Sequence, residues 1–180
     1  MPHPAAAPEF FRPVRLGQVG RGGHHASIAA TPAERTALAA RFELASLARL
    51  EADVTVEPMG RGDLYRVHGT FRAELEQICV VTGDPVPARF DQPFATTFTT
   101  DPQAAEPGTI EVDIEAEDPP EPIEGDAIDV GEAVVQELAV SLDPYPRVDA
   151  PAADGDETAA DEALLPPTGP FAALARLKKG

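Results

Sequence analysis

The chain offers one thiol and four histidines, and few of them are spaced for chemistry. Cys79 is the sole cysteine, so neither an internal disulfide nor a multi-thiolate metal site is available. As a nucleophile Cys79 would need a base beside it, and His68 is the nearest histidine in sequence. Eleven residues apart on one regular strand, the two point to opposite faces. A buried structural thiol is the expectation, and a Cys79-dependent enzyme is kept only as a remote alternative. His24 and His25 follow Gly20, Gly22 and Gly23 and are read as part of a flexible, solvated loop. His68 is expected to be exposed on the polar face of a strand. The many carboxylates show no D-x-D-x-D-G spacing, so solvated charge is expected rather than a calcium loop. No catalytic residue, metal or cofactor is assigned.

The arginines raise a second possibility. Arg66 and Arg72 fall on the same face of one alternating stretch, with Thr70 between them, and that face could touch phosphates. Glu74 and Glu76 continue the face, and no aromatic residues interleave as a base-stacking platform would need. Structural salt bridges are the favoured reading of these arginines, with RNA contact the alternative.

Charge is the most informative feature of the whole chain. The 180 residues carry a net charge of −17. Residues 1–100 are nearly balanced, with 10 Arg against 11 Asp and Glu. Residues 101–165 hold 20 acidic residues and one basic residue, Arg147. The end turns basic through Arg176, Lys178 and Lys179. There is no apolar run long enough to cross a bilayer and no apolar signal-peptide core, so a soluble cytoplasmic protein is expected.

Local patterning predicts the elements that hold these residues. Thr31-Pro32-Ala33-Glu34 reads as a capped helix start, with the helix running over about 32–41. Period-two alternation predicts strands over 64–79 and 86–98, joined by the Thr82-Gly83-Asp84-Pro85 turn. A further strand over 44–57 would meet the first across Gly60-Arg61-Gly62-Asp63. Thr109 to Ala116 reads as a fourth strand with an acidic outer face. Asp129 and Glu132 cap a second helix that carries Val130, Val134, Val135, Leu138 and Leu142 and is stopped by Pro144 and Pro146. The fold class is therefore α+β: a mainly antiparallel β-sheet, a meander, with two flanking helices and disordered acidic linkers. Three regions follow: a domain over 10–148, a disordered acidic linker over 149–168, and a basic amphipathic segment over 169–180. In that last segment Phe171, Leu174 and Leu177 recur at helical spacing ahead of Lys178 and Lys179. Alone it is too short for stable helicity, which suits a peptide that folds on a partner; packing on its own domain, or fraying, is equally open.

Several of these stretches, in this order, resemble the YceD family of large ribosomal RNA subunit accumulation proteins. The resemblance rests on Gly69-Thr70-Phe71-Arg72-Ala73 leading into Cys79-Val80-Val81-Thr82-Gly83-Asp84-Pro85. It extends to the helix start at Thr31, to the late helix and its exit at Pro144-Tyr145-Pro146, and to the end Pro170-Phe171-Ala172-Ala173-Leu174 through Lys179. Cys79, Thr82 and Pro85 are the family-motif positions. Many members have a second cysteine where this chain has Thr82, and some have more cysteines after the proline-rich exit, suggestive of zinc; this chain has neither.

The resemblance implies a non-enzymatic ribosome biogenesis factor that supports 23S rRNA accumulation and large-subunit assembly. Electrostatics limits how it would act. RNA affinity normally comes from Lys and Arg that release counterions, and a strongly acidic half opposes it. The expected partner is a basic ribosomal protein or assembly factor, held by the acidic part as a nucleic-acid mimic. Direct contact with 23S rRNA or its precursor through Arg66 and Arg72 is the alternative. Neither DNA nor a membrane is expected as a partner.

Overall fold

The computed structural model describes residues 8–60, 63–101 and 119–148. The strand read over 109–116 and the two regions read over 149–168 and 169–180 lie outside the described residues, as do Phe171, Leu174, Leu177, Lys178 and Lys179. In chain order the elements are β1 (Pro13–Arg15), a 3-10 turn (Leu16–Gln18), β2 (His24–Ala29), α1 (Pro32–Arg41), β3 (Ser46–Met59), β4 (Leu64–Ile78), β5 (Pro85–Thr99), β6 (Glu121–Pro122), β7 (Ala127–Asp129) and α2 (Val130–Ser141).

The main sheet has the order β2-β3-β4-β5-β6. Its first four strands pair antiparallel in sequence order, and only the short β6 joins β5 in parallel. This is the expected α+β meander with two helices, its strands and α1 close to their predicted ranges. Alternation sets the faces. Along β4, Val67, Phe71, Ala73 and Leu75 are buried, while Arg66 on the opposite face is exposed. β3 needs one adjustment: the register slips between Leu47 and Arg49, which lets both Leu47 and Leu50 face the core.

The helices cover one face of this sheet. α1 starts as its sequence dictates: Thr31 accepts from the Glu34 N–H, and the Glu34 carboxylate accepts from the Thr31 N–H at 2.7 Å. Its Leu38 is fully buried. α2 is capped by Asp129, whose carboxylate accepts from the N–H groups of Gly131 and Glu132. Val130, Val134, Val135 and Leu138 of α2 join Phe71, Phe94 and the β3 valines in one hydrophobic cluster. Full burial of each such side chain stabilises the fold by about 1.5–3 kcal/mol.

Two features depart from expectation. The segment with His24 and His25 is strand β2 rather than a loop. His24 pairs with Val56 and His25 with Thr55, and the ring Nδ1 of His25 lies 3.0 Å from Thr55 Oγ1. The preceding glycines mislead because they serve only the entry to the strand, where Gly23 has φ +82°. Separately, β1 and β7 form a two-stranded sheet of their own, which ties the start of the described chain to the start of α2.

Candidate functional site

Three surfaces bring together residues with possible roles: the outer face of the sheet, the turn after β4, and the open edge of β5. On the outer face, register decides what each arginine meets. Arg72 stands opposite Glu51 of β3 and Asp91 of β5. Its guanidinium lies 3.8 Å from Glu51, 3.5 Å from Asp53 and 3.4 Å from Asp91. Arg49 pairs with Glu51 and, at 3.9 Å, with Glu74. The hydrogen bond from Arg49 holds the Glu51 carboxyl below its usual range, and the Ser27 hydroxyl together with Arg72 does the same for Asp53. Arg49 and Arg72 thus lie among four carboxylates, Glu51, Asp53, Glu74 and Asp91.

Arg66 shares that face but not that fate. Among the described residues no ion pair includes it; its cross-strand neighbour Glu57 lies 3.5 Å from His68 instead. The structure thus separates the two arginines that sequence placed together. Arg72 is engaged by three carboxylates, and Arg66 remains an available cation at the end of the sheet.

Cys79 sits in the turn that joins β4 to β5. The turn is closed by bonds from the Cys79 N–H to Asp84 O and from the Gly83 N–H to Cys79 O, with Gly83 at φ +79°. The thiol is buried, 4% exposed. The Thr82 hydroxyl, then the N–H groups of Val148, Thr82 and Val81, surround its sulfur and lower its pKa from 9.0 to about 6. These donors stabilise negative charge as a turn of successive N–H groups does elsewhere. His68 is ten residues of strand away from the end of β4, about 33 Å, so the two form no dyad. Among the described residues no group of three His, Cys, Asp or Glu side chains could hold a metal ion.

The same turn carries apolar surface. Val80 donates its N–H to Pro146 O, which brings the Pro144-Tyr145-Pro146 exit against it. Val80, Val81 and Tyr145 are 54%, 72% and 70% exposed, and Ile78 and Val148 add to the patch. Thr82 and Pro85, the motif positions beside Cys79, build this tip: Thr82 supplies donors to the sulfur, and Pro85 opens β5 opposite Ile78.

The third surface carried no signal in the sequence. A groove of about 610 Å³ runs along the edge of β5, with Arg66, Ala95 and Thr97 on the sheet and Glu121, Glu137 and Val140 opposite. Burial raises the pKa of Glu137. Burial first, then repulsion from Glu137 and Glu132, raises that of Glu121, against a hydrogen bond with Thr96. Glu121 lies in an acidic, proline-rich stretch and Glu137 on the polar side of a helix, so spacing gave no reason to join them.

No helix among the described residues is long and apolar enough to cross a membrane. No curated protein and no solved structure matches the chain. A sequence model described as large ribosomal RNA subunit accumulation protein YceD matches residues 67–178, which takes in β4 from Val67 onward with Arg72, the Cys79 turn, β5 and α2, and leaves Arg66 just outside. That match spans more than half of the chain, and the protein belongs to the YceD family.

Proposed function

We propose that this protein is a non-enzymatic ribosome biogenesis factor that supports 23S rRNA accumulation by binding a basic ribosomal or assembly protein. The family match supports the ribosomal role. The observation that carries the choice of partner is the outer face of the sheet, where Arg72 is already held by Glu51, Asp53 and Asp91. Turning this guanidinium to a phosphate would leave three carboxylates facing the RNA backbone. With a net charge of −17, the chain attracts cationic polypeptides and repels nucleic acid at long range. The basic amphipathic segment with Phe171, Leu174, Leu177, Lys178 and Lys179 serves in this reading as a second, hydrophobic contact with the partner.

Affinity purification at low and at high salt, with bound protein and RNA identified, tests the reading. Basic large-subunit or assembly proteins should be recovered at low salt and lost steeply as salt rises. Tight recovery of naked rRNA with no basic protein overturns it. One observation favours direct RNA contact as the second reading: Arg66 is free of carboxylate partners among the described residues. A single cation supplies little affinity against the surrounding negative charge.

A further inference from the structure

The edge of β5 shows which of its backbone groups face outward. Pro85, Pro87 and Pro93 have no N–H and share one parity, so that parity faces away from β4. Thr99, of the same parity, confirms it: its carbonyl accepts from the Ile123 N–H, on the outer side. The β4–β5 register runs without a shift from Pro85 to Thr99. Ala95 therefore points its N–H and C=O outward. β6 covers this edge only at Phe98 and Thr99, so among the described residues no strand lies beside Ala95. Pro85, Pro87 and Pro93 remove the outward donor at three positions, as edge strands commonly require, while Arg89, Asp91, Ala95 and Thr97 keep theirs. Of these, Ala95 and Thr97 line the groove, and among the described residues no strand pairs with Ala95.

We propose that this opening takes an extended peptide as an added strand beside Ala95, with cationic side chains at alternate positions reaching Glu121 and Glu137. The proposal rests on the basic-partner reading above and supplies its site. Successive side chains of an added strand point to opposite faces. Those on the helix side meet Glu121, which is bonded to Thr96, and Glu137 of α2. A cation there relieves the repulsion between two partly buried carboxylates. Side chains on the outer side meet Arg66, which disfavours a second cation. The site therefore selects alternation of basic with neutral residues, not a polybasic run, and its carboxylates reject a phosphate backbone. Main-chain bonds to Ala95 give affinity and the charged pair gives register.

The test uses the full chain and two labelled nonapeptides of equal charge, one alternating Lys and Thr, the other with the same residues in two blocks. Binding is read by fluorescence anisotropy at about 0.15 M salt. The alternating peptide should bind roughly tenfold tighter, a gap of about 1.4 kcal/mol. Ala95→Pro removes the outward N–H at a parity where three prolines already stand, and it should abolish the preference. The double variant Glu121→Gln, Glu137→Gln keeps the backbone edge and should abolish it too. Equal binding of the two peptides, or a preference that survives both variants, overturns the β5 site. Capturing isolated large-subunit proteins separates the two ideas. Equal capture by the wild-type and Ala95→Pro chains overturns the β5 site and leaves the basic-partner reading standing. No capture by either overturns that reading itself.

Discussion

The guanidinium of Arg12 holds both carboxylate oxygens of Glu34, at 2.8 and 2.9 Å. The same Glu34 closes the capping box of α1 through the Thr31 N–H. One carboxylate thus starts a helix and ties the N-terminal segment to it. The bond from Arg12, aided by Thr31, holds the Glu34 pKa down at about 2, from an ordinary 4.5. A lowered folded-state pKa means that the stabilisation is present above about 4.5 and is lost as pH falls towards 2. Glu34→Gln should therefore cost about 1–2 kcal/mol at pH 7. It should also flatten the acid limb of a urea-midpoint profile between these values; an unchanged acid limb would count against the pair.

Close backbone approach makes two glycines obligatory. A Cβ on Gly131 would stand 1.9 Å from Phe10 O, and one on Gly69 would stand 2.0 Å from Asp53 O. The obstacles are backbone atoms, which cannot rotate aside. Gly131→Ala should destabilise by about 3 kcal/mol and loosen the β1–β7 pairing. Gly69→Ala should weaken the β3–β4 pairing to a similar degree. Thermal melts with amide hydrogen exchange check both, the second variant by early exchange at Val54 and its neighbours.

For Cys79 the sign follows from a thiol pKa lowered to about 6. The thiolate is favoured in the folded chain, so its contribution is full above the ordinary value of 9.0 and fades as pH falls through 6. Thiolate absorbance should titrate near 6 in the folded protein and near 9 in urea. Cys79→Ser should remove the part of the stability gain seen between those pH values. A folded-state midpoint near 9 would show that the Thr82 hydroxyl and the surrounding N–H groups do not act as described.

The strands of the meander were legible because each has one apolar and one polar face over a dozen residues, as Val67 through Leu75 shows. β2 was not, since Ala26 and Ile28 form too weak a stripe beside the glycines; its pairing with β3 overrides that local signal. β1 and β7 are three residues each, below the length at which period two can be read, and they pair across more than a hundred residues. The shared face of Arg66 and Arg72 followed from parity alone. Their different partners did not, because Asp53 and Asp91 reach Arg72 through the registers of two neighbouring strands. The groove needed still more, with Glu121 and Glu137 arriving from β6 and α2.

That difference between the arginines gives the last prediction. Arg72→Glu places a fourth carboxylate among Glu51, Asp53 and Asp91, so it should destabilise the chain at low ionic strength, by about 1 kcal/mol, and added salt should restore it. Arg66→Glu, with no pair to break among the described residues, should leave stability within about 0.5 kcal/mol. If basic proteins are the partners, the double reversal leaves their recovery from lysate undiminished, because it removes no anion that they use. If the strand face grips RNA, the same double variant loses the bound RNA and the ribosomal material that travels with it. Sequencing and mass spectrometry of one purification therefore decide between the readings, since the same surface change leaves recovery intact under one and abolishes it under the other.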